Sequence, residues 1–135
     1  MRTEQSHEHP LVQIVEKMYE AFNRGDMDTI NDLFHDDVVW HIAGRSPIAG
    51  DYVGKEQVFG FFGKLQELSE GTSTVEVHDL LADDDHGIAI VIESATRNGR
   101  SFQGQAVHVL HLEDGKVTEF WDAHPDQYSS DEFWS

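Results

Sequence analysis

The chain has 135 residues, a net charge of -17, hydrophobic types at 39% and no cysteine. That length carries one core and not two, and the charge excludes a binder of nucleic-acid backbone, which needs a basic stripe, as well as attachment to an anionic membrane. Without cysteine there is no disulfide framework, thiol nucleophile or thiolate metal site.

Residues 1–10 are polar and charged, without a signal-like apolar segment, and are expected to be a flexible N-terminal tail. No run reaches the ~20 apolar residues of a membrane span, so a cytoplasmic protein is the default expectation. The domain itself is expected over residues 11–125. Leu11, Ile14, Val15, Met18, Tyr19 and Phe22 recur at helical spacing, and Asn23-Arg24-Gly25 ends that helix. Asp26 or Asp28 caps a second helix on Met27, Ile30, Leu33 and Phe34, ending at His35-Asp36-Asp37.

Val38 to Ile42 is a strand by residue type, and residues 43–52 read as an irregular loop with two glycines and a proline. A third helix follows Gly54, with Val58, Phe59, Phe61, Phe62, Leu65 and Leu68 on it. Four strands in hairpin succession then fill residues 72–122. Ile88 to Glu93 reads as buried on both faces. The Asn98-Gly99 and Asp114-Gly115 pairs mark two tight turns. Tyr128, Phe133 and Trp134 suggest that the C-terminal tail, residues 126–135, packs on the body or on a partner subunit.

The stretches Tyr19-Glu20-Ala21-Phe22-Asn23-Arg24-Gly25-Asp26 and Leu33-Phe34-His35-Asp36-Asp37-Val38-Val39-Trp40 resemble the SnoaL-like branch of the nuclear-transport-factor-2-like, or ketosteroid-isomerase-like, superfamily. Gly50-x-Tyr52-x-Gly54 and Asp114-Gly115-Lys116-Val117 add to the likeness. The resemblance implies an α+β fold: a cone-shaped barrel in which three N-terminal helices pack against a strongly curved mixed sheet, with a ligand cavity at the mouth. It also implies isomerase, cyclase, dehydratase or hydrolase chemistry on a small hydrophobic or polyketide-like molecule, or non-catalytic binding, and pairing into a homodimer through the sheet.

By the same resemblance, the acid-base carboxylate of the steroid isomerases matches His41, and their second carboxylic acid matches His108. Their helix-borne tyrosine falls at Met18, one residue from Tyr19. Two histidines thus replace the acids, and His41 becomes the candidate general base, with His108 as donor to a developing oxyanion. Strand parity puts Ala106, His108, Leu110 and Leu112 on one face, and Phe120, Asp122 and His124 on one face. Asp122 and His124 are candidates to orient an imidazole or polarise a water. Each of these residues also has a plain structural reading at a strand end. The expected ligand wall is Met18, Tyr19, Phe22, Tyr52, Phe59, Phe62 and Phe120, which could equally fill a solid core. Trp40 and Trp121 read as packing residues on the outer, convex face or in a dimer contact rather than as ligand platforms. No ordered spacing such as His-Glu-x-x-His occurs, so neither metal nor cofactor is expected.

Overall fold

Helix α1 (Pro10–Arg24) begins where His9 accepts a hydrogen bond from the Leu11 N–H at 3.2 Å and Pro10 sets the first turn. The computed structural model describes residues 9–135, so most of the expected N-terminal tail lies outside the described residues. Gly25 ends α1 at φ 73°, a left-handed cap that a side chain would strain. Just before it, Asn23 exchanges two hydrogen bonds with the Val75 backbone (2.8 and 2.9 Å), fastening the helix end to an edge strand. Asp26 caps the short α2 (Met27–Leu33) by accepting from the Thr29 N–H. Phe34 is not the end of that helix; it opens the first strand.

The strands are β1 (Phe34–Ile42), β2 (Gly50–Val53), β3 (Thr74–Ala82), β4 (His86–Arg97), β5 (Arg100–Glu113) and β6 (Lys116–Ala123). Between β2 and β3 runs α3 (Gly54–Leu68), and α4 (Gln127–Trp134) closes the chain. The β4–β5 and β5–β6 turns are the expected Asn-Gly and Asp-Gly pairs. All four residues have φ between 52° and 77°, the left-handed geometry that matches the twist of the flanking strands. The expected loop at 43–52 hides β2: its last residues pair antiparallel with Val39–Ile42, although Gly50 and Asp51 carry little strand propensity.

Strand order is β2-β1-β6-β5-β4-β3, with β1 parallel to β6 and every other pair antiparallel. This corrects the expected cone-shaped barrel. β2 and β3 are two free edges that do not pair with each other, so the sheet is open; it is not strongly curved either. Four helices, not three, accompany it among the described residues. Helix α1 lies against β3 and β4, α3 against β1 and β2, and α4 against β5.

Register across the sheet explains which residues face the helices. One row of opposed residues runs Leu80, Ala89, His108, Asp122, Ile42, and the adjacent row runs Leu81, Ile88, Val109, Trp121, His41, Asp51. The first row belongs to the inner face, where Val91, Leu110, Leu112 and Val117 pack with Val12 and Val15 of α1 at almost zero exposure. Each such side chain contributes about 1.5–3 kcal/mol on burial. The second row looks outward. Strand β4 is therefore not buried on both faces: Ala89 and Val91 are fully buried while Ile88 is 42% exposed.

Candidate functional site

Side chains of the inner face do not fill the whole space under α1, α3 and α4. A cavity of about 90 Å³ remains. Its floor is aromatic. Trp40 of β1 stacks flat on Phe120 of β6 (centroids 3.7 Å apart, planes 6° apart), and Phe62 of α3 meets Trp40 edge-on at 5.3 Å. Met18, Tyr19 and Phe22 of α1 complete that side. Helix α4 bounds the opposite side through Gln127, Ser130 and Trp134. It is held there by the Gln127 side-chain N–H on the Ala43 carbonyl (3.3 Å), by Arg97 on the Ser135 carbonyl (2.9 Å), and by Phe133 stacked on Phe102.

One end of this apolar space is ionic. His108 on β5 is 3% exposed, and its Nδ1 lies 2.7 Å from the Tyr19 hydroxyl. Its Nε2 lies 2.8 Å from Glu93 Oε2 and 3.3 Å from Asp122 Oδ1. His124 Nε2 stands 3.2 Å from Glu93 Oε1 and 3.3 Å from the same Asp122 Oδ1. That Oδ1 is fully buried and accepts no well-aligned hydrogen bond, so charge alone holds it between two imidazoles.

These contacts set the protonation states. Burial would lower the His108 pKa, but the oxygens of Tyr19, Asp122 and Glu93 outweigh it and hold the imidazole well above 6.5. For His124 burial is likewise overcome, by Asp122 and Glu93, and the pKa is pushed up to about 10. Burial would raise Asp122; the two imidazoles reverse this and keep it well below the usual carboxylate range. Burial raises the Tyr19 phenol. At neutral pH both imidazoles are therefore cationic. The His108 Nδ1–H donates to the Tyr19 oxygen, which leaves the phenol's own O–H to point at the cavity.

Of the residues singled out in the sequence, Met18, Tyr19, Phe22, Phe62, His108, Phe120, Asp122 and His124 line this space. Tyr52 and Phe59 do not. Tyr52 donates its O–H to the Ile48 carbonyl at 2.7 Å, and Phe59 stacks on Phe34. His41 is placed on the opposite face of the sheet, stacked on Trp121 at 5.3 Å. There its Nδ1 lies 2.7 Å from Asp51 and its Nε2 2.6 Å from Glu119. Burial opposes protonation of this ring, and the two carboxylates raise its pKa above 6.5. His41 and His108 therefore do not share a hollow. The physical reason is parity: Phe34, Val38 and Trp40 alternate onto the buried face of β1, so His41, one step on, takes the other face. Trp40 takes the inward position instead of the outer one expected for it.

The sequence profile of the SnoaL-like domain matches residues 15–120, within an observed fold of the expected element order. The chain belongs to the SnoaL-like family. Bal32a, from a soil-derived mobile gene cassette, is 35% identical to it over 93% of this chain and 96% of its own, with a TM-score of 0.90. The uncharacterized protein Rv0034 of Mycobacterium tuberculosis is 26% identical, over 92% of this chain and 95% of its own. TerC, co-crystallized with polyporic acid, shares the fold at a TM-score of 0.82 and 20% identity, covering 93% of this chain and 98% of its own. The SnoaL-like fold thus accounts for the pocket, and this chain's own side chains account for what lies in it.

Sequence reasoning missed two parts of the SnoaL-like site. Glu93 was read only as the end of an apolar strand, yet it continues the Ala89, Val91 parity straight into the cavity; that alternation was a usable signal. Helix α4 was visible only as three aromatics in a tail. The fold also assembles Glu93, Asp122 and His124 so that their ligand-capable atoms all lie within 4.8 Å of one another, a set that no sequence spacing announces.

Proposed function

We propose that the cavity takes a small, mostly apolar molecule bearing one carbonyl or hydroxyl oxygen, and that the ionic end performs proton transfer on it. The observation that carries this reading is the placement of Tyr19, Glu93, His108, Asp122 and His124 at the end of an otherwise apolar space. Buried charge stabilises a fold poorly and concentrates where chemistry is done. The Tyr19 O–H, polarised by the His108 imidazolium behind it, stabilises negative charge developing on the ligand oxygen. Glu93 is the cluster's more accessible carboxyl group, its side chain 21% exposed, and serves as proton acceptor. The Asp122 and His124 pair positions it. The acid-base role foreseen for His41 passes to this cluster, because His41 faces away from the cavity.

The test is turnover of enolisable ketones, epoxides and hydroxylated polyketide-like compounds by wild type, Glu93→Gln and Tyr19→Phe. Turnover lost about 10²-fold or more in Glu93→Gln supports the assignment. Equal rates in all three proteins refute it. A second reading, ligand binding without turnover, is favoured by how fully His124, Asp122 and His108 engage one another. It predicts saturable binding of the same compounds with no product. TerC's co-crystallization with polyporic acid supports small-molecule binding in either case.

The outward sheet face is read as the seat of a second copy of the chain. Ile88, Val109 and Trp121 lie side by side there, Ile88 42% and Trp121 38% exposed. No described helix is long and apolar enough to cross a membrane.

A further inference from the structure

We infer that Glu93, Asp122 and His124 form a binding site for a divalent first-row transition ion, with His108 as an adjoining fourth donor. The inference depends on the working-pocket reading for the use of the ion, not for its existence.

Geometry is the first argument. A four-coordinate ion with bonds of about 2.0–2.1 Å to nitrogen and oxygen has ligand-to-ligand edges of about 3.3 Å. His124 Nε2 stands 3.2 Å from Glu93 Oε1 and 3.3 Å from Asp122 Oδ1, and His108 Nε2 stands 3.3 Å from that same Oδ1. Three edges already have that length, and the donor atoms of Glu93, Asp122 and His124 all lie within 4.8 Å of one another. Glu93 reaches in from β4, His108 from β5, and Asp122 and His124 from the end of β6, so the site sits on adjacent strands of one rigid sheet.

The second argument is independent of spacing. Asp122 Oδ1 is fully buried, directed into the cluster, and accepts no hydrogen bond. Its neighbours are two imidazoles at 3.3 Å, neither aligned as a hydrogen bond, so the oxygen is charge-paired but incompletely coordinated. A cation between Asp122, Glu93 and His124 would complete it, replacing the protons now shared by the cluster. Donor chemistry selects the ion: imidazole and carboxylate without thiolate suit Zn²⁺, Fe²⁺ or Co²⁺. The second shell is present as well, since Tyr19 hydrogen-bonds the far nitrogen of His108. Because the cluster faces the cavity, expansion of the four-coordinate site to a fifth position would admit the ligand oxygen. There the ion would act as a Lewis acid on the oxygen that the Tyr19 hydroxyl also reaches.

The experiment uses the full chain, stripped with chelator and titrated with Co²⁺ under visible absorption and with Zn²⁺ by calorimetry. One Co²⁺ per chain with ligand-field bands of a low-coordinate site is expected. Affinity should fall more than about 10-fold in Asp122→Asn and in His124→Gln, and stay unchanged in His86→Gln, a surface site beside Asp83. Circular dichroism shows whether each variant is folded; if either is not, Glu93→Gln carries the comparison, with a rise of wild-type melting temperature on adding Zn²⁺ as second readout. No ligand-field bands, or equal affinity in wild type and cavity variants, overturns the site. Binding of an aromatic ketone is measured in parallel. Ketone binding without ion binding overturns the ion site and spares the pocket, whereas ion binding without ketone binding supports the site and removes the pocket reading.

Discussion

Raising the pH should unload the buried ionic end of the cavity and destabilise the fold, and His124 allows the size to be worked out. Unfolded, its imidazole loses its proton through a pKa near 6.5; folded, it keeps the proton up to about 10. Between those values the native state binds more protons than the unfolded chain, so unfolding free energy falls as pH rises. The contribution is fully present below pH 6.5 and is gone above pH 10. Each pH unit inside the window costs about 1.4 kcal/mol, or about 2.5 kcal/mol from pH 7 to pH 9 for this one group. The side chain is only 5% exposed, so solvent screening removes little of this. His108, whose pKa is raised by the same neighbours, adds to the fall. Urea unfolding followed by tryptophan fluorescence at pH 7, 8 and 9 measures it. With a slope of about 1–3 kcal/mol per molar, the midpoint should drop by about 1 M or more. In His124→Gln the drop should be clearly shallower. A wild-type midpoint that is flat from pH 7 to pH 9, or wild type and variant falling in parallel, would refute the charge assignment.

Three further outcomes follow from packing. Phe120→Ala removes the ring stacked on Trp40 and tilted against His108 and should cost about 3–5 kcal/mol in unfolding free energy, read by the same urea titration. Gly44→Ala adds a methyl group against the Asp131 and Gln127 side chains at a backbone φ of 103°, so α4 should lift. Faster protease cleavage near residues 126–135 and a red shift in Trp134 emission should follow, while amide exchange in β4 and β5 stays slow. Trp121→Arg puts a charge at the end of the outward apolar row, beside Val109; if two copies pair there, light scattering should show the dimer mass halved at fixed protein concentration.

How much was legible depended on how local each signal was. The α1 stripe, its Gly25 stop, both two-residue turns and the faces of β5 and β6 are written in short stretches, and the structure matches them. His108 is singled out by the family resemblance. Alternation groups it with its strand neighbours, and groups Asp122 with His124, without saying which face is inside; the structure places all three against the cavity. Position 41 takes the other face because Phe34, Val38 and Trp40 alternate inward along β1. That alternation is local, but which of its two faces lies inward is decided only when the helices pack on the sheet. β2 was missed for a similar reason: Gly50 and Asp51 become strand only because β1 offers them partners.

The amino-acid sequence by itself determined the periodicities, the turns and the membership in the SnoaL-like family, since each rests on residues near one another in the chain. Tertiary structure decided that the sheet stays open and that Glu93 meets His124. It also decided that Trp40, not its neighbour His41, looks into the cavity. Those outcomes depend on edge pairing between strands far apart in sequence and on which face of the sheet the helices cover, neither of which local propensity fixes.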